Sequence, residues 1–325
     1  DRLITLITET LENKEQVILF QNRRGFSPVI ECTTCGVAPQ CPNCDVSLTF
    51  HKYRSELKCH YCNYQRAKPN SCSACGSNTL DTKGFGTEQI ELELKELYPD
   101  HVIGRMDLDT TRGKHGYQKI IGAFEAREID VLVGTQMLSK GLDFDNVSLV
   151  GILNADTMLN FPDFRAHERS YDMMVQVSGR AGRAKKQGNV AIQTFNPYHQ
   201  ILQQVSTTNY TEMYKEQLQE RWQYHYPPYY RLIKITLKHK DYTKVDSGIN
   251  WLAKALQNVF VENVLGPTAP VVSRVRNQYI KNLMVKIPPK QNLSETKKQL
   301  ERIKTTFQSV KEFRPIRFIT DVDAQ

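Results

Sequence analysis

Leu3, Ile4, Ile7 and Leu11 recur at helical spacing and predict a helix over residues 1–13, and the apolar run over 16–21 predicts a buried strand behind it. After a long interruption the same alternation resumes. Ile90, Leu94, Leu97 and Tyr98 share one face of a helix over 87–98. Strands are then predicted over 101–106, 131–134, 147–152 and 188–195, with helices over 117–127 and 164–177 between them. Such alternation predicts an α/β fold whose parallel sheet is covered on both faces. Past Asn196-Pro197 the pattern changes to a single connecting helix over 201–221, a strand over 232–238, a helix over 245–260, a strand over 283–287 and a helix over 294–307. That order predicts a separate α+β domain.

The interruption holds all eight cysteines, arranged as four C-x2-C knuckles: Cys32/Cys35, Cys41/Cys44, Cys59/Cys62 and Cys72/Cys75. Four thiolates complete one tetrahedral zinc cage, so eight make two structural Zn2+ sites with none left over. A disulfide framework fits poorly, because the cysteines are confined to 44 residues of a long chain whose remainder reads as an ordinary α/β protein. Iron–sulfur ligation usually follows other spacings. The 14 residues between Cys44 and Cys59 match a zinc ribbon, whereas the five between Cys35 and Cys41 are short for one cage. Spacing therefore favours a nested pairing over a sequential one, with the inner knuckles on one zinc and the outer knuckles closing the other and joining the ends of the insert. His51 and His60 lie nearby and could stand in for a thiolate, but the cysteines already suffice.

Lys and Arg number 43 against 35 Asp and Glu, a net charge of +8 that favours an anionic partner. Two four-thiolate zinc sites would each carry about −2 and shrink that surplus. No run of about 18 apolar residues exists, so a membrane is not expected as a partner. The chain starts at Asp1 rather than at methionine, which suggests a fragment of a longer protein.

Two strings of the parallel-sheet segment carry candidate chemistry. In Val133-Gly-Thr-Gln-Met-Leu-Ser-Lys-Gly-Leu-Asp-Phe144, the Gly134-Thr135 turn at a strand end offers backbone N–H groups and a hydroxyl to a phosphate, and Lys140, Gly141 and Asp143 add a cation, a close approach and a carboxylate. In Gln176-Val-Ser-Gly-Arg-Ala-Gly-Arg183, Arg180 and Arg183 are three apart, so on a helical turn both guanidinium groups would face one phosphoryl group. Alone, each string also reads as an ordinary turn or a solvated helix face.

Together with Val17-Ile-Leu-Phe-Gln-Asn-Arg-Arg-Gly-Phe26 and Arg105-Met-Asp-Leu-Asp-Thr-Thr111, these strings resemble the second-lobe motifs of superfamily-two helicases, and with the cysteine insert specifically the bacterial replication-restart DNA helicases. The resemblance implies a RecA-like helicase lobe two over 1–27 and 84–199, an inserted two-zinc module over 28–83, a connecting helix over 200–227 and a C-terminal α+β DNA- and partner-binding domain over 228–325. It implies that Arg180 and Arg183, with Gln176, reach the γ-phosphate of ATP, that Gly141 and Asp143 lie on the nucleotide side, and that Thr135 and Lys140 touch DNA. It further implies a cytoplasmic bacterial enzyme at the replication fork that moves 3′-to-5′, recognises stalled or branched forks and initiates primosome assembly. Its partners would be forked and single-stranded DNA, single-stranded DNA-binding protein, and primosome and helicase-loading proteins. In Ser273–Leu283 the chain departs from the family pattern, with Ile280 and Asn282 where arginine and aromatic residues are usual.

A P-loop needs G-x4-G-K-[ST], and the only Gly-Lys pair, Gly113-Lys114, is followed by His115 and has no upstream glycine at the required place. No Asp-Glu dipeptide occurs either. Phosphoryl transfer needs a phosphate cradle and Mg2+ besides arginines, so the chain alone is expected not to hydrolyse ATP. Two other classes fit parts of the pattern: a non-catalytic zinc-containing DNA or protein interaction module, and another superfamily-two translocase with a zinc insert. The aromatic residues Phe50, Tyr53, His60, Tyr61 and Tyr64 of the module could stack on bases or fill a thin core.

Overall fold

The computed structural model describes residues 2–22, 29–51, 55–83, 86–107, 110–111, 113, 115–139, 144–182 and 188–323. The chain opens with α1 (Arg2–Glu12) and β1 (Gln16–Gln21), then runs through five short strands, β2 (Val29–Cys32), β3 (Thr49–His51), β4 (Glu56–Lys58), β5 (Gln65–Ala67) and β6 (Leu80–Lys83). It continues through α2 (Thr87–Leu97), β7 (Ile103–Met106), α3 (Gly116–Glu125), β8 (Val131–Gly134), β9 (Val147–Leu153), α4 (Asp156–Leu159), α5 (Ala166–Ser178) and β10 (Asn189–Ile192). Then come α6 (Gln200–Ser206), α7 (Tyr210–Gln223), β11 (Arg231–His239), α8 (Tyr242–Phe260), β12 (Val264–Thr268), β13 (Arg274–Val275), β14 (Gln278–Ile287), α9 (Leu293–Ser309) and β15 (Arg317–Val322). Two compact units result: residues 1–28 with 84–217, and residues 29–83 with 218–325.

The first unit is built on a five-stranded sheet of order β10-β9-β1-β8-β7 in which every pairing is parallel. Because side chains alternate along a strand, Ile18, Phe20, Leu132, Val150 and Ile152 enter one core with Phe124, Met174 and Ile201, while Val17, Leu19, Val131, Val133 and Leu149 enter another with Ile7, Leu11, Ile90 and Leu94. Burial on both faces explains the continuous apolar runs of β1 and β8, all of whose residues are buried. This is the α/β arrangement that the periodicity predicts, and the RecA-like lobe that the helicase resemblance implies. One element differs: the connecting helix is broken into α6 and α7. Thr208 turns left-handed at φ 52°, and the Asn209 carboxamide oxygen accepts the Glu212 N–H at 3.1 Å, capping a new helix where two β-branched threonines end the old one.

In the second unit, the cysteine-rich segment forms an antiparallel sheet of order β5-β4-β3-β2-β6. Val29 pairs with Lys83 and Cys32 with Leu80, which brings the two ends of the segment together. The C-terminal α+β portion is an antiparallel sheet of order β12-β14-β11-β15, with β13 hairpinned onto β14. Helix α8 starts at Asp241, whose carboxylate accepts the N–H groups of Thr243 and Lys244, and packs Val245, Ile249, Leu252 and Leu256 on the sheet with Phe307 from α9. Ile280 is buried in β14, and the Asn282 side-chain oxygen accepts from the Thr236 hydroxyl on β11 at 2.9 Å. The two departures in Ser273–Leu283 are thus occupied with holding the sheet.

Candidate metal centres and phosphate site

The eight sulfurs gather into two groups, Cys32/Cys35/Cys72/Cys75 and Cys41/Cys44/Cys59/Cys62, with the ligand atoms of each group within 4.8 Å of one another. This is the nested arrangement. Cys32–Cys75 and Cys35–Cys72 lie 3.6 Å apart and Cys41–Cys62 3.5 Å. Those separations are far beyond a disulfide bond of about 2.05 Å. They suit the edge of a tetrahedron with Zn–S near 2.3 Å, about 3.8 Å, so the donor set fits two zinc-binding groups of four cysteines each. Among the described residues both groups consist of cysteines alone; His51 and His60 instead meet edge to face at 5.5 Å.

Local backbone geometry follows from the sequence. Gly36 and Gly76, each directly after the second cysteine of an outer knuckle, take φ of 72° and 75° and donate their N–H groups to the carbonyls of Cys32 and Cys72. At the inner site Asn63 takes the same role at φ 64°, donating to Cys59 O. The Cys35 backbone N–H holds the Cys32 thiol down at about 6, whereas burial, reinforced by Cys59 and Cys62, pushes Cys41 up to about 12. Four converging thiols do not all ionise unaided, so zinc has to displace protons to bind and its affinity falls with pH. The inner cage is the more enclosed, with Cys41, Cys44 and Cys59 buried, while Cys35 and Cys75 of the outer cage are exposed. Phe50 is 6% exposed and belongs to the thin core with Ile30, Leu48 and Leu57, so it fills space and offers no face to a base. Tyr64 packs against that core, Tyr61 and His60 are exposed, and Tyr53 lies outside the described residues.

In the first unit Thr135 and Arg180 lie towards opposite ends of the sheet. Thr135 directly follows β8 at the C-terminal end, where its N–H donates to Met106 O at 3.3 Å and its carbonyl accepts from Leu138 N at 2.9 Å. A Cβ on Gly134 would lie 2.6 Å from Leu138 Cδ1 and 2.9 Å from Met106 O, so this close turn admits only glycine. Thr135 is 7% exposed. Beside it Asp107, 1% exposed, organises the end of β7: its carboxylate accepts from the Thr87 hydroxyl at 2.6 Å, from Thr110 N at 3.0 Å and from Arg105 at 3.3 Å. Thr111 completes the turn by donating to Asp107 O at 2.6 Å.

Gln176 is exposed on the last turn of α5. The helix stops at Ser178, so Arg180 sits in the following turn, half-buried. Gly182, at φ 75°, donates to the carbonyl of Val147, the first residue of β9. The Arg180 turn is therefore tied to the N-terminal end of the strands, a sheet's length from Thr135. Gly188 leaves no room for a Cβ against Gly182 N at 2.4 Å, which locks that turn from its other side. Lys140, Gly141, Asp143 and Arg183 lie outside the described residues. Sequence reasoning missed Asp107 as an organiser; its signal was the Asp-x-x-Thr spacing of a capped turn.

Three family models match the chain: the PriA DNA helicase Cys-rich region domain over residues 41–66, the helicase conserved C-terminal domain over 85–185, and the primosomal protein N C-terminal domain over 223–325. The chain is 41% identical over 305 residues to the replication restart protein PriA of Bacillus subtilis, covering 93% of this chain and 38% of that protein. It is 39% identical over 292 residues to the Synechocystis protein of the same name, covering 88% and 35%, and 37% identical over 319 residues to that of Haemophilus influenzae, covering 97% and 43%. The chain thus spans about two fifths of the length of these relatives. Among the described residues no helix is long and apolar enough to cross a membrane.

Proposed function

Because the chain belongs to the PriA replication-restart family, we propose that it supplies the second motor lobe, the two zinc centres and a C-terminal DNA- and partner-binding domain to an ATP-dependent 3′-to-5′ DNA helicase that acts at stalled or branched forks. The observation that carries this reading is the first unit, where a helicase C-terminal domain match coincides with an all-parallel sheet that has Thr135 at one end and the Arg180 turn at the other. That separation suits a motor lobe, which grips DNA at one edge and senses nucleotide at another.

In the proposed cycle Thr135, at the C-terminal edge of the sheet, holds the DNA backbone together with Lys140, and phosphate grip without base reading is enough for translocation. Arg180, in the turn tied to the other edge, acts with Arg183 and Gln176 to stabilise the charge that develops on the γ-phosphoryl group, while Gly141 and Asp143 contact the nucleotide with its Mg2+. Closing and opening of the lobe against its partner lobe shifts the two grips along one strand. Zinc supplies rigidity to the cysteine-rich module, and all eight cysteines hold it. The C-terminal domain receives branched DNA and, with the helicase core, the tail of single-stranded DNA-binding protein, before primosome and helicase-loading proteins assemble in the bacterial cytoplasm.

The 325 residues contain no P-loop, so a zinc-containing DNA- and protein-binding module is the function left to this chain in isolation. Steady-state ATP hydrolysis tests the division of labour. The complete protein is expected to hydrolyse ATP when single-stranded DNA is added, and the chain alone to show no turnover. Turnover by the purified chain would overturn the assignment of the phosphate cradle to other residues.

A further inference from the structure

The strand pair β13–β14 ends in a two-residue turn, Arg276-Asn277, with both residues left-handed at φ 52° and 59°. That is the turn geometry whose twist matches a tight hairpin, normally filled by Asn-Gly. Arginine in this conformation is costly, and the tip is held by its contacts. They fall on the inner zinc knuckles. Arg276 N–H donates to Cys44 Sγ at 3.3 Å, and its guanidinium Nε donates to Tyr61 O, the residue before Cys62, at 3.1 Å. Arg274 Nε and the Ser273 hydroxyl grip the two oxygens of Asp45 at 2.9 and 2.8 Å, while a second Arg274 nitrogen reaches Pro42 O at 3.0 Å. Backbone bonds complete the seam, Asp45 N to Arg274 O at 2.9 Å and Asn277 N to Asn43 O at 2.8 Å. Val275 packs against the cluster that contains Cys41, Cys44 and Cys59.

We propose that the 273–277 hairpin tip is the outer coordination shell of the inner zinc centre, with Arg274 and Arg276 as positioning residues that fix Cys41–Cys44 and offset the charge of the four thiolates. Three physical effects support this. An N–H donated to a ligand sulfur stabilises its thiolate form, and outer partners of this kind govern metal retention. A four-thiolate zinc centre carries about −2, so two guanidinium groups against its knuckles lower the cost of enclosing that charge. The Asp45 clamp fixes the residue next to Cys44, so the sulfur is held in place before metal arrives. Residues about 230 positions apart in sequence thereby build one centre, and the C-terminal domain becomes the guardian of one zinc and not of the other.

The test uses the zinc-loaded 325-residue chain. In Arg274→Ala/Arg276→Gly the turn gains a residue that adopts positive φ without steric cost and keeps the N–H donor, while both guanidinium groups are lost. Alkylation of cysteines under a zinc chelator, followed peptide by peptide by mass spectrometry, is expected to accelerate about tenfold at Cys41, Cys44, Cys59 and Cys62 and to stay unchanged at Cys32, Cys35, Cys72 and Cys75. In the cobalt-substituted protein the thiolate charge-transfer band of one centre should shift and the other should not. Arg276→Gly alone should fall between the wild type and the double variant. Unchanged inner-site rates, or equal acceleration of both sets, would overturn the proposal, the latter because it would report general unfolding of the module.

Discussion

Removing zinc is expected to unfold the cysteine-rich segment, residues 29–83, and to leave the parallel-sheet unit folded. Among the described residues, the buried apolar side chains of its core apart from cysteines are Leu48 and, on strands of three or four residues, Ile30, Phe50 and Leu57. Segments this small and thin do not cohere without staples. Structural zinc sites typically contribute about 10–16 kcal/mol at neutral pH, more than such a core supplies. The first unit has two apolar cores of its own and no cysteine, so the metal does not enter its stability. Hydrogen exchange with and without chelator checks this: amides of β2–β6 should lose protection while those of β1, β8 and β9 keep it. Metal analysis should give two zinc ions per chain, and persistent protection of the segment after complete zinc removal would refute the structural role. The sign of the pH dependence is fixed as well. Protons compete with zinc for the thiolates, so zinc occupancy is retained at neutral pH and lost on acidification.

The second large effect concerns turnover in the complete protein. Arg183→Ala and Arg180→Ala are each expected to lower DNA-stimulated ATP hydrolysis by about a thousandfold, the scale of an arginine finger's contribution to phosphoryl transfer. DNA affinity should change little, because the Arg180 turn is tied through Gly182 to the start of β9, away from the Thr135 end of the sheet. Both quantities come from one preparation, kcat at saturating DNA and Kd from fluorescence anisotropy. A normal kcat in Arg183→Ala would remove the arginine assignment. A loss of DNA affinity matching the loss of kcat would place the arginines in the DNA grip instead.

Much of this was legible in the chain because the relevant constraints are local. Two-residue gaps oblige both sulfurs of a knuckle to share an ion, and the short Cys35–Cys41 link already favoured nesting. The apolar runs of β1 and β8 announced a sheet buried on both faces. Other features were hidden for identifiable reasons. β15 is mostly exposed and has no clean apolar alternation, and β12 contains Gly266 and Pro267, residues that argue against a strand. The break between α6 and α7 depends on the cap at Asn209, which overrides a continuous helical pattern. Arg180 lies beyond the end of its helix, in a segment flanked by Gly179 and by Gly182 at φ 75°, and three-residue spacing alone does not show where a helix stops. Nothing in the sequence couples Arg274 to Asp45, since their bond exists only once two distant hairpins have folded.

ATP-dependent strand separation of a labelled forked duplex by the complete protein tests the motor assignment most directly. The expected result is release of the labelled strand with hydrolysable ATP, none with a non-hydrolysable analogue, and none with Arg180→Ala/Arg183→Ala at equal DNA occupancy. Strand release by the double arginine variant at the wild-type rate, or ATP hydrolysis by the wild type with no strand released, would contradict it.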